Sequence, residues 1–251
     1  MRWKITLAYD GSNYGGWQRQ NNALTVQEVL EGCLSKVCRQ PIYLAGCGRT
    51  DAGVHASYYV AHFDTPSEEL VANNKDSLSH DQVIFRINKL LPPDISVFQI
   101  ESVEDTFHSR FSARKRMYQY HIRYKKSAFH SKYAWWYQPH LDVEAMNKAS
   151  QLLLGDNNFA AFCKGEIPRN NPNCIVYIAQ WEKTNEEIIF TIQASRFLRN
   201  MVRSLVKALV EVGTHKITVE EFKAIFDSGV GRNEIGRSVP PNGLFLCDVQ
   251  Y

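Results

Sequence analysis

Residues 48–55, Gly48-Arg49-Thr50-Asp51-Ala52-Gly53-Val54-His55, set an acid close to a base between two glycines. Glycine reaches backbone conformations that β-branched neighbours forbid, so a carboxylate at Asp51 can be held on a tight loop, as a catalytic acid or nucleophile is presented. A plain turn in which Asp51 bonds its own backbone uses the same residues. The loop alone leaves both readings open. Two cationic groups accompany it. Arg196, Arg199, Arg203 and Lys207 recur at steps of three or four along an expected helix at 197–212, with no acid among them until Glu211. Like charges so spaced repel unless something anionic lies over them, such as RNA phosphate or a catalytic carboxylate; a solvated helix face is the plainer alternative. Arg110, Arg114, Lys115 and Arg116 are interleaved with Phe111, Tyr118 and Tyr120. That mixture suits an unstacked base, whose ring lies on an aromatic while its phosphate is neutralised, though a strand with a basic outer face has the same composition.

Other chemistries lack their motifs. His55, His62, His108 and His121 are scattered with no GxSxG nucleophile, and neither a P-loop nor GxGxxG occurs, which argues against serine hydrolysis and nucleotide-driven chemistry. The six cysteines, Cys33, Cys38, Cys47, Cys163, Cys174 and Cys247, form no CxxC pair and no zinc-spaced cluster, so no metal or redox cofactor is expected.

The elements that must position these groups are legible from periodicity. Residues 2–9 alternate Trp3, Ile5, Leu7 and Tyr9 with more polar neighbours, a strand with one buried face, and lead into a glycine-rich shaped loop at 10–19. Thr25 with Glu28 reads as a capping box for a helix carrying Val26, Val29, Leu30, Cys33, Leu34 and Val37, with Cys33 and Cys38 on its buried face. A short strand after Pro41, the 46–55 loop, a strand at 58–63, a surface excursion at 66–80, a helix at 81–91 stopped by Pro92-Pro93 and a strand at 95–103 complete one half. Strands near 117–124, 175–183 and 187–195, with helices near 142–154, 197–212 and 218–227, repeat the pattern. Gly155 and Gly213 read as helix C-caps and Thr218 with Glu221 as a second capping box. The expectation is an α+β fold of two similar modules, 1–105 and 106–251, with mostly antiparallel sheets meeting at a central cleft and helices on the outer face.

Hydrophobic residues make up 44% and charged residues 22% of the 251, the balance of a globular chain, so disordered and fibrous classes drop out. A net charge of +3 is too small alone to imply nucleic acid. No apolar run reaches the roughly 18 to 20 residues of a membrane span, and Met1-Arg2-Trp3-Lys4 does not begin a signal peptide. A cytoplasmic protein with no membrane attachment is expected.

Taken in order, Tyr9-Asp10-Gly11, Tyr14, Gly16-Trp17-Gln18, the 48–55 loop, Phe107-His108, Arg110-Phe111-Ser112-Ala113, Tyr118, Tyr120, Phe197-Leu198-Arg199, Met201-Val202-Arg203, Val212-Gly213 and Gly243-Leu244-Phe245-Leu246 with Tyr251 resemble the bacterial tRNA pseudouridine synthase A family from end to end. Asn173-Cys174 departs from it where many members place arginine. The resemblance implies an isomerase that converts uridine to pseudouridine at positions 38 to 40 of the tRNA anticodon stem-loop, acting as a homodimer with neither metal nor nucleotide cofactor. It implies Asp51 as nucleophile, Tyr118 stacking on the uracil and Arg203 pairing with the aspartate. It further implies RNA or substrate contacts from Gln18, Arg49, Arg110, Phe111, Arg116 and Arg199. An arginine partner favours the ionised carboxylate that such a nucleophile needs, and a uridine leaving its stack needs phosphate-binding arginines and an aromatic platform. Two rivals use the same residues. A non-catalytic RNA-binding protein gives no reason for an acid amid cations, and a hydrolase releasing uracil needs a second carboxylate to activate water, for which Asp10 and Asp64 are the candidates.

Overall fold

The computed structural model describes residues 1–66, 69–71, 78–165, 172–229 and 238–251. Its fold class is α+β with mostly antiparallel strands, and the residues separate into two compact units, Met1–Ala113 with Leu246–Tyr251, and Arg114–Phe245.

In the first unit, β1 (Arg2–Tyr9) is flanked by its two antiparallel neighbours. Helix α1 (Val26–Cys38) follows, capped by Thr25, whose side chain accepts from Glu28 N–H. Then come β2 (Ala45–Gly46), β3 (His55–Asp64), α2 (His80–Leu90) and β4 (Ile95–Val103), in sheet order β4-β1-β3 with β2 on β3. Ser79 and Gln82 cap α2 reciprocally, and α2 lies along β4. The strand expected at 58–63 starts earlier, at His55. Most of β3 is buried on both faces, so the alternation that marks a one-sided strand is absent at its start. Ile5, Leu7, Leu30, Leu34, Tyr59, Phe63 and Ile87 are fully buried and form the core, each aliphatic side chain contributing about 1.5–3 kcal/mol. Residues 67–68 and 72–77 of the expected surface excursion lie outside the described residues; within it Leu70 and Val71 are buried, so it is not wholly at the surface.

The second unit runs β5 (Lys115–Arg123), β6 (Trp135–Trp136), α3 (Val143–Gln151), β7 (Gly155–Asn158), β8 (Asn173–Lys183), β9 (Glu187–Ala194), α4 (Met201–Gly213) and α5 (Val219–Ser228). Its strands order β5-β9-β8-β7, antiparallel throughout, with β6 parallel on β5. A last strand, β10 (Leu244–Gln250), which the sequence reading did not delimit, carries the chain back beside β3 in the first unit from Leu246 onward. Helix α4 differs from expectation at its start. Asn200 takes a left-handed φ of 62° and caps a helix beginning at Met201, so Arg196 and Arg199 precede the helix and no four-cation stripe runs along it. Of the two cations left, Lys207 pairs with Glu211 at 2.6 Å.

Neither glycine expected as a C-cap is one. Helix α3 stops at Gln151, and Gly155, at φ 93°, opens β7. Gly213 is the last residue of α4, where a Cβ would meet Met146 Sδ at 2.5 Å, so it lets α3 and α4 approach closely. The capping box at Thr218 and Glu221 is formed in both directions. All six cysteines are thiols. Burial pushes Cys38 and Cys174 up to about 11, as fits unreactive core residues, whereas Cys33 is half-buried, its thiol directed at the Leu90 carbonyl. No helix among the described residues is long and apolar enough to cross a membrane.

Candidate active site

The 48–55 loop is a tight turn resting on an aromatic bed. Val54 N–H donates to the Asp51 carbonyl at 3.1 Å, and Gly53 takes a φ of 76° to make that closure. Beneath it, Trp17 and Tyr59 stack at 4.0 Å between centroids, with Tyr9 5.5 Å from Tyr59. The Tyr59 hydroxyl donates to the Gly48 carbonyl, and the Tyr9 hydroxyl meets Thr50 Oγ1 at 2.9 Å. Both ends of the loop are thereby fixed: Cys47 N–H bonds the Val60 carbonyl at 2.8 Å on one side, and β3 begins at His55 on the other.

The glycine-rich loop after β1 packs directly on this turn. Trp17 N–H donates to the Thr50 carbonyl and Gly53 N–H to the Tyr14 carbonyl, each at 3.3 Å. A Cβ on Gly11 would lie 2.0 Å from the Val54 carbonyl oxygen, and one on Gly16, at φ 97°, would lie 2.3 Å from the Thr50 carbonyl oxygen. Both positions require glycine for close approach, and Gly16 for its left-handed backbone as well. The loop is braced by Asp94, which accepts from the Tyr14 hydroxyl and, at 3.3 Å, from Asn13. Burial and that carboxylate push the Tyr14 hydroxyl far above its ordinary range, so it stays a donor. Asp10 accepts from both the backbone and hydroxyl of Ser12. Buried His55 places Nδ1 3.1 Å from Gly11 N–H and 3.0 Å from Asp10 Oδ1. Accepting from Gly11 and donating to Asp10 are alternatives, set by which ring nitrogen holds the proton.

Asp51 is half-buried on this turn, while Arg49 and Gln18 are exposed. Also in the first unit, Arg110 and Phe111 are exposed, the guanidinium 5.6 Å from the ring centroid. In the second unit, Tyr118 on β5 is 8% exposed and meets Phe197 edge-on at 5.0 Å. Arg116 lies two residues earlier on the same strand and donates to the Ser195 carbonyl at 3.3 Å. Arg203, in the first turn of α4, donates through Nε to the Val239 carbonyl at 2.9 Å, and Arg199 is exposed ahead of that helix. Thus Gln18, Arg49, Asp51, Arg110 and Phe111 belong to one unit, and Arg116, Tyr118, Arg199 and Arg203 to the other.

Sequence reasoning passed over the supports: the bonds of Tyr9 and Tyr59 to the loop, and the Tyr14–Asp94 brace. The signal available for them was the run of glycines at 11, 15 and 16, which marks a backbone that something must approach closely.

A family model described as tRNA pseudouridine synthase matches residues 149–251. A tRNA pseudouridine synthase A from Bacteroides thetaiotaomicron is 42% identical over 254 residues, covering 100% of this chain and 91% of that protein. Proteins of the same name from Thermoanaerobacter pseudethanolicus, 39% identical with 98% of each chain covered, and Pelodictyon phaeoclathratiforme, 37% identical with 99% and 98% covered, match equally completely. With overall identity at this level and matches that cover 98% or more of the chain, the chain belongs to the tRNA pseudouridine synthase A family.

Proposed function

We propose that this isomerase converts uridine to pseudouridine at positions 38 to 40 of the tRNA anticodon stem-loop, with Asp51 as the nucleophile and no cofactor, working as a homodimer in the cytoplasm. The reaction breaks the bond between ribose C1′ and uracil N1, turns the base and joins C1′ to C5. The C5 proton leaves and N1 gains one, so atoms balance without redox or metal chemistry. The observation that carries the reading is the Asp51 turn. An acid is mounted on a backbone held by two glycine contacts, an aromatic bed and a Thr50 hydroxyl bond, so its carboxylate is positioned before substrate arrives.

Arg203 is assigned as the arginine that pairs with the Asp51 carboxylate. Its Nε bond to the backbone fixes a planar guanidinium suited to pairing with a carboxylate. Tyr118, rigid on β5 against Phe197, stacks on the uracil. Arg49, Arg110, Arg116 and Arg199 contact phosphate, Phe111 stacks on a neighbouring base and Gln18 bonds the RNA.

A uracil hydrolase would need a second carboxylate near Asp51. Asp64 stands at the far end of β3, some 30 Å along a strand of that length, ion-paired with Arg2 at 2.8 Å and held below the usual carboxylate range by it. Asp10 is occupied by Ser12 and faces His55.

The test is tritium release from tRNA labelled at uracil C5. Native protein is expected to release label and form pseudouridine, and Asp51→Asn to bind tRNA within a few-fold of native while losing at least about 10⁴ in rate, as removal of an essential nucleophile does. No release by native protein from several unmodified tRNAs, with tight binding retained, would leave a non-catalytic RNA-binding protein. Parallel loss of binding and turnover in Asp51→Asn would refute the nucleophile role.

A further inference from the structure

Single apolar side chains at a surface need no special account, but a loop in which every backbone donor serves to hold one does. Phe111 is 75% exposed at the tip of residues 108–112 in the first unit. All five backbone N–H groups of that loop are bonded inside the unit. His108 N–H donates to Ser112 Oγ at 2.9 Å, and Ser112 N–H returns to the His108 carbonyl at 2.8 Å. Arg110 and Phe111 N–H both point to His108 Nδ1, at 3.1 and 3.4 Å. Ser109 N–H donates to His62 Nδ1 at 3.2 Å. The His108 ring lies between the rings of Phe111 and His62, with centroids 4.4 and 4.7 Å away.

The base of the loop is anchored as fully. Ser109 is completely buried; its hydroxyl donates to the Ala45 carbonyl at 2.6 Å and its carbonyl accepts from the Tyr251 hydroxyl at 2.8 Å. Ala45 opens β2, which runs directly into the Asp51 loop, so the two loops share an anchor. Burial, the neighbouring His108 and Arg2 depress the His62 ring to about 4, so near neutral pH the ring is uncharged and, in the tautomer that leaves Nδ1 bare, accepts from Ser109 N–H.

We propose that His108 is a positioning residue. Together with Ser109, His62 and Tyr251 it holds Arg110 and Phe111 as a preformed platform on which a base of the RNA substrate stacks beside its neutralised phosphate. The inference rests on the isomerase reading above and deepens it. A loop ordered before binding avoids the entropic cost of ordering it in the complex, so losing the clamp weakens RNA affinity although no RNA-touching atom is removed.

The experiment is steady-state pseudouridylation with His108→Leu, His108→Asn, Phe111→Ala and the double variant His108→Leu/Phe111→Ala. Phe111→Ala is expected to raise KM about tenfold, the size of one lost base stack. His108→Leu is expected to raise KM by a similar factor with kcat changed less than about twofold, since only binding is affected. His108→Asn restores most of the affinity, because a side-chain oxygen there can accept the N–H two residues on. The double variant should be no worse than either single, as for two parts of one device. Should His108→Leu unfold the protein, Ser112→Ala opens the loop at its solvent end and is expected to give the same rise in KM. Native KM in His108→Leu or Ser112→Ala while Phe111→Ala weakens binding, or multiplicative effects in the double variant, would overturn the clamp. Native KM in Phe111→Ala while Asp51→Asn still abolishes turnover would overturn the platform and leave the isomerase reading standing. Absence of turnover in native protein would instead be failure of that reading.

Discussion

Asp51 owes its placement to residues distant from it in the chain. Gly16 is the sharpest case, because it combines a left-handed φ of 97° with a 2.3 Å approach of any added Cβ to the Thr50 carbonyl. Gly16→Ala must therefore either strain its own backbone or push the Thr50–Asp51 peptide away. A shift near 1 Å at a reacting group can cost about a hundredfold in rate. The expected outcome is a kcat for tRNA lowered by about that factor, with a fall in Tm of only a few degrees and little change in tRNA affinity; single-turnover kinetics beside thermal unfolding separate the effects. Retained kcat with a large loss of Tm would make Gly16 a stability residue only. His108 and Ser109 act at the same scale, through hydrogen bonds and not through contact with substrate.

Among the elements, α5 shows how local chemistry and packing cooperate. Its first turn is closed reciprocally by Thr218 and Glu221, and its buried face carries Phe222 and Phe226, which meet Phe159 and Phe162 at 5.2–6.1 Å. Thr218→Ala removes one side-chain acceptor from an exposed helix end and is expected to cost about 1 kcal/mol, read as a small lowering of the urea midpoint with the m-value and pseudouridylation rate unchanged. A loss well above that would mean the cap also holds the aromatic cluster in place. Helix α4 is the contrasting case. Its apolar face was plain in the spacing of Met201, Val202, Leu205, Val206 and Leu209, all buried, but its first residue was not, since nothing in the periodicity reports that Asn200 turns left-handed. The cations placed on one helical face therefore divide between a connecting segment and the helix, and Lys207 is neutralised by Glu211.

At the scale of the molecule, stability should carry the mark of His62. Its folded ring takes a proton only near 4, against 6.5 for an ordinary histidine, because it is buried beside His108 and Arg2. Between those values the unfolded chain binds more protons than the folded one, so stability from this group is fully present above about 6.5 and is lost as pH falls toward 4. At roughly 1.4 kcal/mol for each pH unit of separation, the effect amounts to at most about 3.5 kcal/mol. Urea unfolding at pH 7 and pH 4.5 is expected to show a larger drop for native protein than for His62→Gln, whose amide does not titrate; equal drops would assign the pH dependence elsewhere. The match to the Bacteroides thetaiotaomicron relative covers the whole chain, and so the residues of both units.

The family was readable from the chain alone because its motifs are residue types at short spacing that keep one order along the chain, the 48–55 loop between glycines and the aromatic and cationic run at 110–120 among them. Elements with strong periodicity and caps were readable for the same reason, since a helix turn or an alternating strand is written within a few residues; β1 and β4 fall where the alternation put them. Only the tertiary structure decided what depends on distant partners. The early start of β3, the close-packing role of Gly213 and the hold of Tyr251 on Ser109, 142 residues away, leave no local signal, because each is set by what packs against the residue and not by its neighbours in sequence.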